Sequence, residues 1–113
     1  MNEIALRPHN SGHATIEACL TSQFHQHLRA VLGWPLGDPS LVVPAAATVN
    51  LIGGNSAVDP VSRLAERTID GAAVHLYGKA YRPGRKLGHV TAVGPSVAGA
   101  LGLARQAAAA LLD

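Results

Sequence analysis

The chain has 113 residues, 48% of them hydrophobic and 14% charged, and its nine lysines and arginines against seven acidic residues leave a formal net charge of +2 with neutral histidines. This excludes a disordered tail and fits one ordinary domain, or the end of one joined to a smaller unit. The charge is too small to call for nucleic acid, the run Ala107 to Leu112 is far too short to span a bilayer, and the single cysteine, Cys19, excludes an internal disulfide. With no signal-peptide pattern at an acidic start, the expectation is a soluble, cytoplasmic protein that engages neither nucleic acid nor membrane.

Asn2-Glu3-Ile4-Ala5-Leu6 alternates polar and apolar side chains like the last residues of a strand. A lone strand cannot stand, so the expectation is that its sheet lies in a longer protein of which this chain is the C-terminal piece. The dense cluster Arg7-Pro8-His9-Asn10-Ser11-Gly12-His13 then sits on the loop leaving that strand. From Ala14 to Leu32, apolar residues Ile16, Cys19, Leu20, Phe24, Leu28, Val31 and Leu32 recur at helical spacing, with Thr21 and Ser22 able to cap a second helical piece within the stretch. Cys19 reads there as a small buried hydrophobe. The helix ends at Gly33 and Pro35, and residues 33–44, with three prolines and two glycines, read as a linker between two units.

In the second unit Thr48 to Ile52 reads as a strand closed by Gly53-Gly54-Asn55, and Val61 to Arg67 as a short helix after Pro60. Val74-His75-Leu76-Tyr77 and His89-Val90-Thr91-Ala92-Val93 alternate as the arms of a hairpin around a long basic loop, residues 78–88. Ser96 caps a helix running to Leu112, with Val97, Leu101, Ala104, Ala108 and Leu111 on the stripe that covers one face of the strands. The fold class is therefore α+β: strand, loop and helix in residues 1–40, then a small antiparallel β domain in residues 41–113 covered by a C-terminal helix.

Two features carry chemistry. In the N-terminal cluster, His9 and His13 are four apart, but Pro8 and Gly12 oppose a zinc-binding helix, and no strand-turn-helix elbow surrounds Ser11 as a nucleophile. Glu3, with Asn2 beside it, offers hard oxygen ligands to a magnesium nucleotide, and Arg7 could meet a transferring phosphoryl group. A polar loop that only satisfies backbone groups is the plain alternative. In the basic loop, Lys79, Arg82, Arg85 and Lys86 suit a phosphate, a solvated hairpin tip, or, least well given so few aromatics, a nucleic acid.

Asn2-Glu3-Ile4-Ala5, Arg7 through His13, Thr21-Ser22-Gln23-Phe24 and His27-Leu28-Arg29-Ala30 resemble the end of the ATP-grasp domain of N5-carboxyaminoimidazole ribonucleotide synthetases. In the same order, Val49-Asn50-Leu51-Ile52-Gly53, His75-Leu76-Tyr77-Gly78-Lys79 and Arg82 through Val90 resemble that family's small C-terminal domain. Leu6, where a proline is common, and Ala14, where an aromatic is common, depart from the pattern without removing a polar group. The resemblance implies a ligase of purine biosynthesis that uses ATP, magnesium and bicarbonate to carboxylate the exocyclic amine of 5-aminoimidazole ribonucleotide, releasing ADP and phosphate. It implies magnesium binding by Glu3, ATP contact by Asn2 and Glu3, handling of carboxyphosphate or carbon dioxide by the catalytic residues Arg7 and His9, and substrate-phosphate binding by Lys79 and Arg85. It further implies a homodimer for the full-length enzyme and an inactive fragment for this chain alone. The competing expectation is a non-enzymatic anion-binding or interaction module derived from that enzyme.

Overall fold

The computed structural model describes residues 1, 3–54, 59–66 and 69–112. Asn2, assigned above to ATP, lies outside them, as do Asn55 and Arg67 at the ends of a predicted turn and helix. The elements in order are a 3-10 turn at Asn10–Gly12, α1 (Thr15–Ala18), α2 (Gln23–Val31), β1 (Ala45–Ile52), α3 (Pro60–Glu66), β2 (Ala72–Leu76), β3 (Lys86–Gly94) and α4 (Val97–Leu112).

The three strands form one antiparallel sheet in the order β1-β3-β2. The period-two pattern of β3 decides both faces. Val90, flanked in register by Val49 of β1 and Val74 of β2, points toward α4, while His89, opposite Asn50 and His75, points the other way. Leu51, Val90, Ala107, Ala108 and Leu111 form the buried cluster, with Ile69, Ala72 and Leu76 packed against it. The α4 stripe is turned from the predicted one: Ala100 and Ala107 are buried beside Ala104, Ala108 and Leu111, whereas Val97 is 63% exposed. Small alanines on that face let the helix lie close on the sheet. The Ser96 hydroxyl accepts the Gly99 N–H at 3.2 Å, the cap expected of it.

β1 starts three residues before Thr48. Alanine is a poor strand former, but Ala45, Ala46 and Ala47 find Gly94, Val93 and Ala92 opposite them, and ladder pairing overrides propensity. On the sheet's other face the hydroxyls of Thr48 and Thr91 meet at 2.8 Å, and α1 packs there with Ala18 buried. The molecule is thus three layers: α4, sheet, and the N-terminal helices.

The stretch predicted as one helix or two is two. The chain turns extended at Cys19, which is half-buried and bridges Leu41, and the Ser22 hydroxyl then accepts the His25 N–H at 3.1 Å to start α2. Residues 33–44 are not a free linker. Leu20 and Thr21 donate to the carbonyls of Ser40 and Asp38, each at 3.0 Å, and the Gln26 amide exchanges bonds with both backbone groups of Gly37 at 2.6 and 2.9 Å. The apolar face of α2 is largely open to solvent, with Leu28, Val31 and Leu32 exposed. Residues 3–6, expected to be the end of a strand whose sheet lies outside this chain, form no strand here. No backbone among the described residues pairs with them, so alternation alone gives no ladder, and Leu6 is 96% exposed. Among the described residues, no helix is long and apolar enough to cross a membrane.

Candidate active site

The N-terminal cluster is pinned from beneath. Gly12 is buried and a Cβ there would meet the Gln23 side-chain amide, so the glycine lets the 3-10 turn close on α2 with that side chain where it is. The Gly12 carbonyl accepts the Thr15 hydroxyl at 2.6 Å, and that oxygen accepts the Gln23 N–H at 2.9 Å. Above this turn lies an open cleft of about 510 Å³ whose lining includes Glu3, Arg7, His9, Ser11, Gln23 and His27. His9 Nε2 stands 3.5 Å from Glu3 Oε1, and His9 Nδ1 is 3.3 Å from the Arg7 carbonyl. A carbonyl can only accept, so that contact calls for a proton on Nδ1; Nε2 faces the Glu3 carboxylate and is open to proton exchange only once that carboxylate is engaged elsewhere. Arg7 Nη1 makes a long 3.4 Å contact to the Pro8 carbonyl and is otherwise presented to the cleft.

The basic loop is built on backbone conformations that only glycine adopts readily, with φ of +63° at Gly78 and +71° at Gly84. It is laced to the end of β1: the Gly53 N–H donates to Arg85 O and the Gly84 N–H to Gly53 O, each at 2.8 Å, and the Tyr81 hydroxyl bonds the Gly54 carbonyl. Lys79 lines a second cavity of about 360 Å³ with Asp59, Pro60, Gly78, Tyr81 and Leu87, and its ammonium lies 5.4 Å from the centre of the Tyr77 ring. Arg85 shares the loop, but its guanidinium folds back to the Ala80 carbonyl at 3.1 Å.

Between the cleft and the loop runs a column of rings that the sequence reading did not identify. His13 stacks on His89 at 4.0 Å and 7°, His89 stacks on His75 at 4.5 Å and 17°, and Phe24 of α2 lies 5.6 Å beyond His13. Glu17 of α1 closes the His75 end at 2.5 Å, and the Tyr77 hydroxyl meets His89 Nδ1 at 2.7 Å. Burial, followed by the neighbouring imidazoles His13 and His75, pushes His89 down to about 4; burial first, then Lys86 and His75, lowers His13 as well. Burial raises the Tyr77 phenol. Part of this was readable: a hairpin folded symmetrically about Arg82 sets His75 opposite His89. The docking of His13 onto them was not.

Among the described residues, no group of three or more His, Cys, Asp or Glu side chains could hold a metal. Glu3 supplies one carboxylate to the cleft, and that fits magnesium, which takes one or two carboxylates and fills its octahedron with water and phosphate oxygens.

Residues 1–24 match the ATP-grasp domain, and residues 46–101 match the C-terminal domain of phosphoribosylaminoimidazole carboxylase. These matches define the end of an ATP-grasp domain joined to the small domain that follows it. The chain is 52% identical over 104 residues to the N5-carboxyaminoimidazole ribonucleotide synthase of Mycobacterium tuberculosis, covering 87% of this chain and 24% of that protein. It superposes on the N5-carboxyaminoimidazole ribonucleotide synthetase of Thermotoga maritima with a TM-score of 0.78 at 48% identity, covering 96% of this chain and 31% of that one. On the N5-carboxyaminoimidazole synthase of Aspergillus clavatus, solved with ADP and 5-aminoimidazole ribonucleotide, the TM-score is 0.73 at 40% identity, covering 91% and 28%. The chain belongs to the N5-carboxyaminoimidazole ribonucleotide synthetase family, as its C-terminal portion. It spans about a quarter of the length of the curated relatives it matches.

Proposed function

We propose that these residues form the C-terminal part of the active site of an ATP-dependent ligase that joins bicarbonate to the exocyclic amine of 5-aminoimidazole ribonucleotide in purine biosynthesis, with release of ADP and phosphate. The observation that carries this is the gathering of Glu3, Arg7 and His9 in one cleft that is tied, through the His13–His89 stack, to the loop bearing Lys79. The ADP and aminoimidazole ribonucleotide held by the Aspergillus relative support the same reading. Residues 1–40 and 41–113 are read as two units of that ligase, with the cleft in the first and the phosphate loop in the second.

Arg7 presents its guanidinium to the carboxyphosphate, where a planar fork suits a phosphoryl or carboxylate group. Magnesium, held in part by Glu3, would neutralise phosphate charge. As the amine nitrogen bonds to the carboxyl carbon and the carbon–oxygen bond to phosphate breaks, the amine loses a proton, and His9 Nε2 takes it while Nδ1 stays bonded to the Arg7 carbonyl. Lys79 binds the ribonucleotide phosphate as a point charge, and Arg85 joins it by giving up its contact to Ala80.

The test is a chimera in which residues 1–113 replace the matching part of the Mycobacterium tuberculosis relative. It should release ADP only with both aminoimidazole ribonucleotide and bicarbonate present. His9→Ala should lower kcat by about 10²-fold or more. Lys79→Ala and Arg85→Ala should each raise the KM for the ribonucleotide by roughly tenfold or more, the worth of a charge-assisted phosphate contact. A folded chimera that hydrolyses ATP without regard to the ribonucleotide, or a His9→Ala variant of unchanged kcat, would overturn the proposal.

A further inference from the structure

The ring column has no place in the chemistry just described, yet it is the physical link between the two halves of the site. His13 ends the loop that holds Arg7 and His9, His89 and His75 belong to adjacent strands, and Tyr77 lies two residues before Lys79. Phenylalanine would stack as well, without the cost of burying polar nitrogens. His89 is 2% exposed, and its Nε2 and the Nδ1 of His13 are buried without a hydrogen-bond partner among the described residues. Imidazole differs from phenylalanine in being able to take a proton.

The charged and titratable groups facing the column come from every element around it. Glu17 of α1 pairs with His75 and favours a charged His13, whereas Lys86 of β3 and His9 of the loop oppose one; Tyr77 contacts His89. Glu17 therefore compensates one positive charge. A second proton on an adjacent ring would set two imidazolium rings 4.0 to 4.5 Å apart, and Glu17 is the one carboxylate that acts on them among the described residues.

Taking the proposed function as given for what the site does, we propose that His13, His89 and His75 are positioning residues: their stack fixes the Arg7–His9 cleft relative to the Lys79 loop while no two adjacent rings are protonated, and a proton on a second, adjacent ring uncouples the two. At neutral pH the loops are held together. In acid the stack opens at the His13–His89 contact, because that contact joins the N-terminal segment to the sheet.

NMR on the isotopically labelled 113-residue chain, from pH 8 to pH 3 with N-acetylhistidine in the same tube, tests this. The ring nitrogens of His13 and His89 should stay neutral to lower pH than the reference. The backbone amides of Arg7, His9 and Lys79 should shift together in the one step that protonates the column. His89→Phe keeps a ring in the stack and should abolish that step in all three amides. Glu17→Gln, which leaves the stacked rings in place, should move it to lower pH by removing the carboxylate that favours the imidazolium. Amides that shift at different pH values, or a step that persists in His89→Phe, would overturn the coupling. Ribose 5-phosphate added to the same samples reads the phosphate loop separately: no binding, with the coupled step intact, would count against the proposed function and leave the column standing.

Discussion

One face of the sheet is held by apolar burial and the other by stacked and paired polar groups, although the same three strands supply both. Under α4, Leu51, Val90, Ala107, Ala108 and Leu111 pack without a titratable group in the cluster. Under α1, His75, His89, Glu17 and the Thr48–Thr91 pair meet. The first arrangement is insensitive to pH and gives the small domain its stability. The second is sensitive to pH and decides where the N-terminal loop sits. A strand with period two can serve both because successive residues of β3, His89 and Val90, belong to different environments.

The sharpest way to break the apolar face is Leu111→Ala, since Leu111, near the C-terminal end of α4, is fully buried in the core cluster. Truncating such a leucine costs about 2–5 kcal/mol, the transfer term plus the cavity left behind. Urea unfolding followed by circular dichroism should show this loss, and should show it equally at pH 7.5 and pH 5.5. A loss that grows in acid would mean that the two faces are not separable.

The histidine face should respond to pH instead. His89 ordinarily titrates near 6.5 and in the fold is pushed down to about 4, so between these values the unfolded chain takes up a proton that the folded chain refuses. Stability is therefore full above about 6.5, falls as pH drops toward about 4, and levels off below; the full shift corresponds to on the order of 3 kcal/mol. The lowered His13 adds to the loss in the same direction. His89→Phe should flatten the dependence, leaving the part due to His13. A wild-type unfolding free energy that is constant from pH 7 to pH 4.5 would remove the distinction between the faces.

What the sequence made legible follows the range of the interactions involved. The caps at Ser22 and Ser96 and the arms of the hairpin are local, so side-chain type and alternation were enough to place them. Residues 3–6 alternate as the end of a strand would but form no ladder here, because alternation reports which face a strand would bury and the sheet expected for it is not in this chain. The α4 stripe was placed about one position off because alanines on both candidate faces give little contrast in hydrophobicity. In the site, Glu3, Arg7 and His9 are near one another in the chain and the cleft gathers them, while the roles proposed for them rest on the family resemblance. The contact of Glu17 with His75 spans 58 residues, and neither it nor the His13–His89 stack leaves a local pattern to read.

The smallest expected effect comes from Ser96→Ala. The Ser96 hydroxyl holds the Gly99 N–H at the start of α4, in solvent and on the helix that covers the apolar face. Losing an N-cap costs about 1 kcal/mol. Because the cap touches neither the ring column nor the loops it joins, the variant should unfold at slightly lower urea while the imidazole titrations of His13 and His89 stay where they are. Movement of those titrations would mean that the strain of a frayed α4 passes through the sheet to the opposite face, and that β3 transmits between the two environments rather than insulating them.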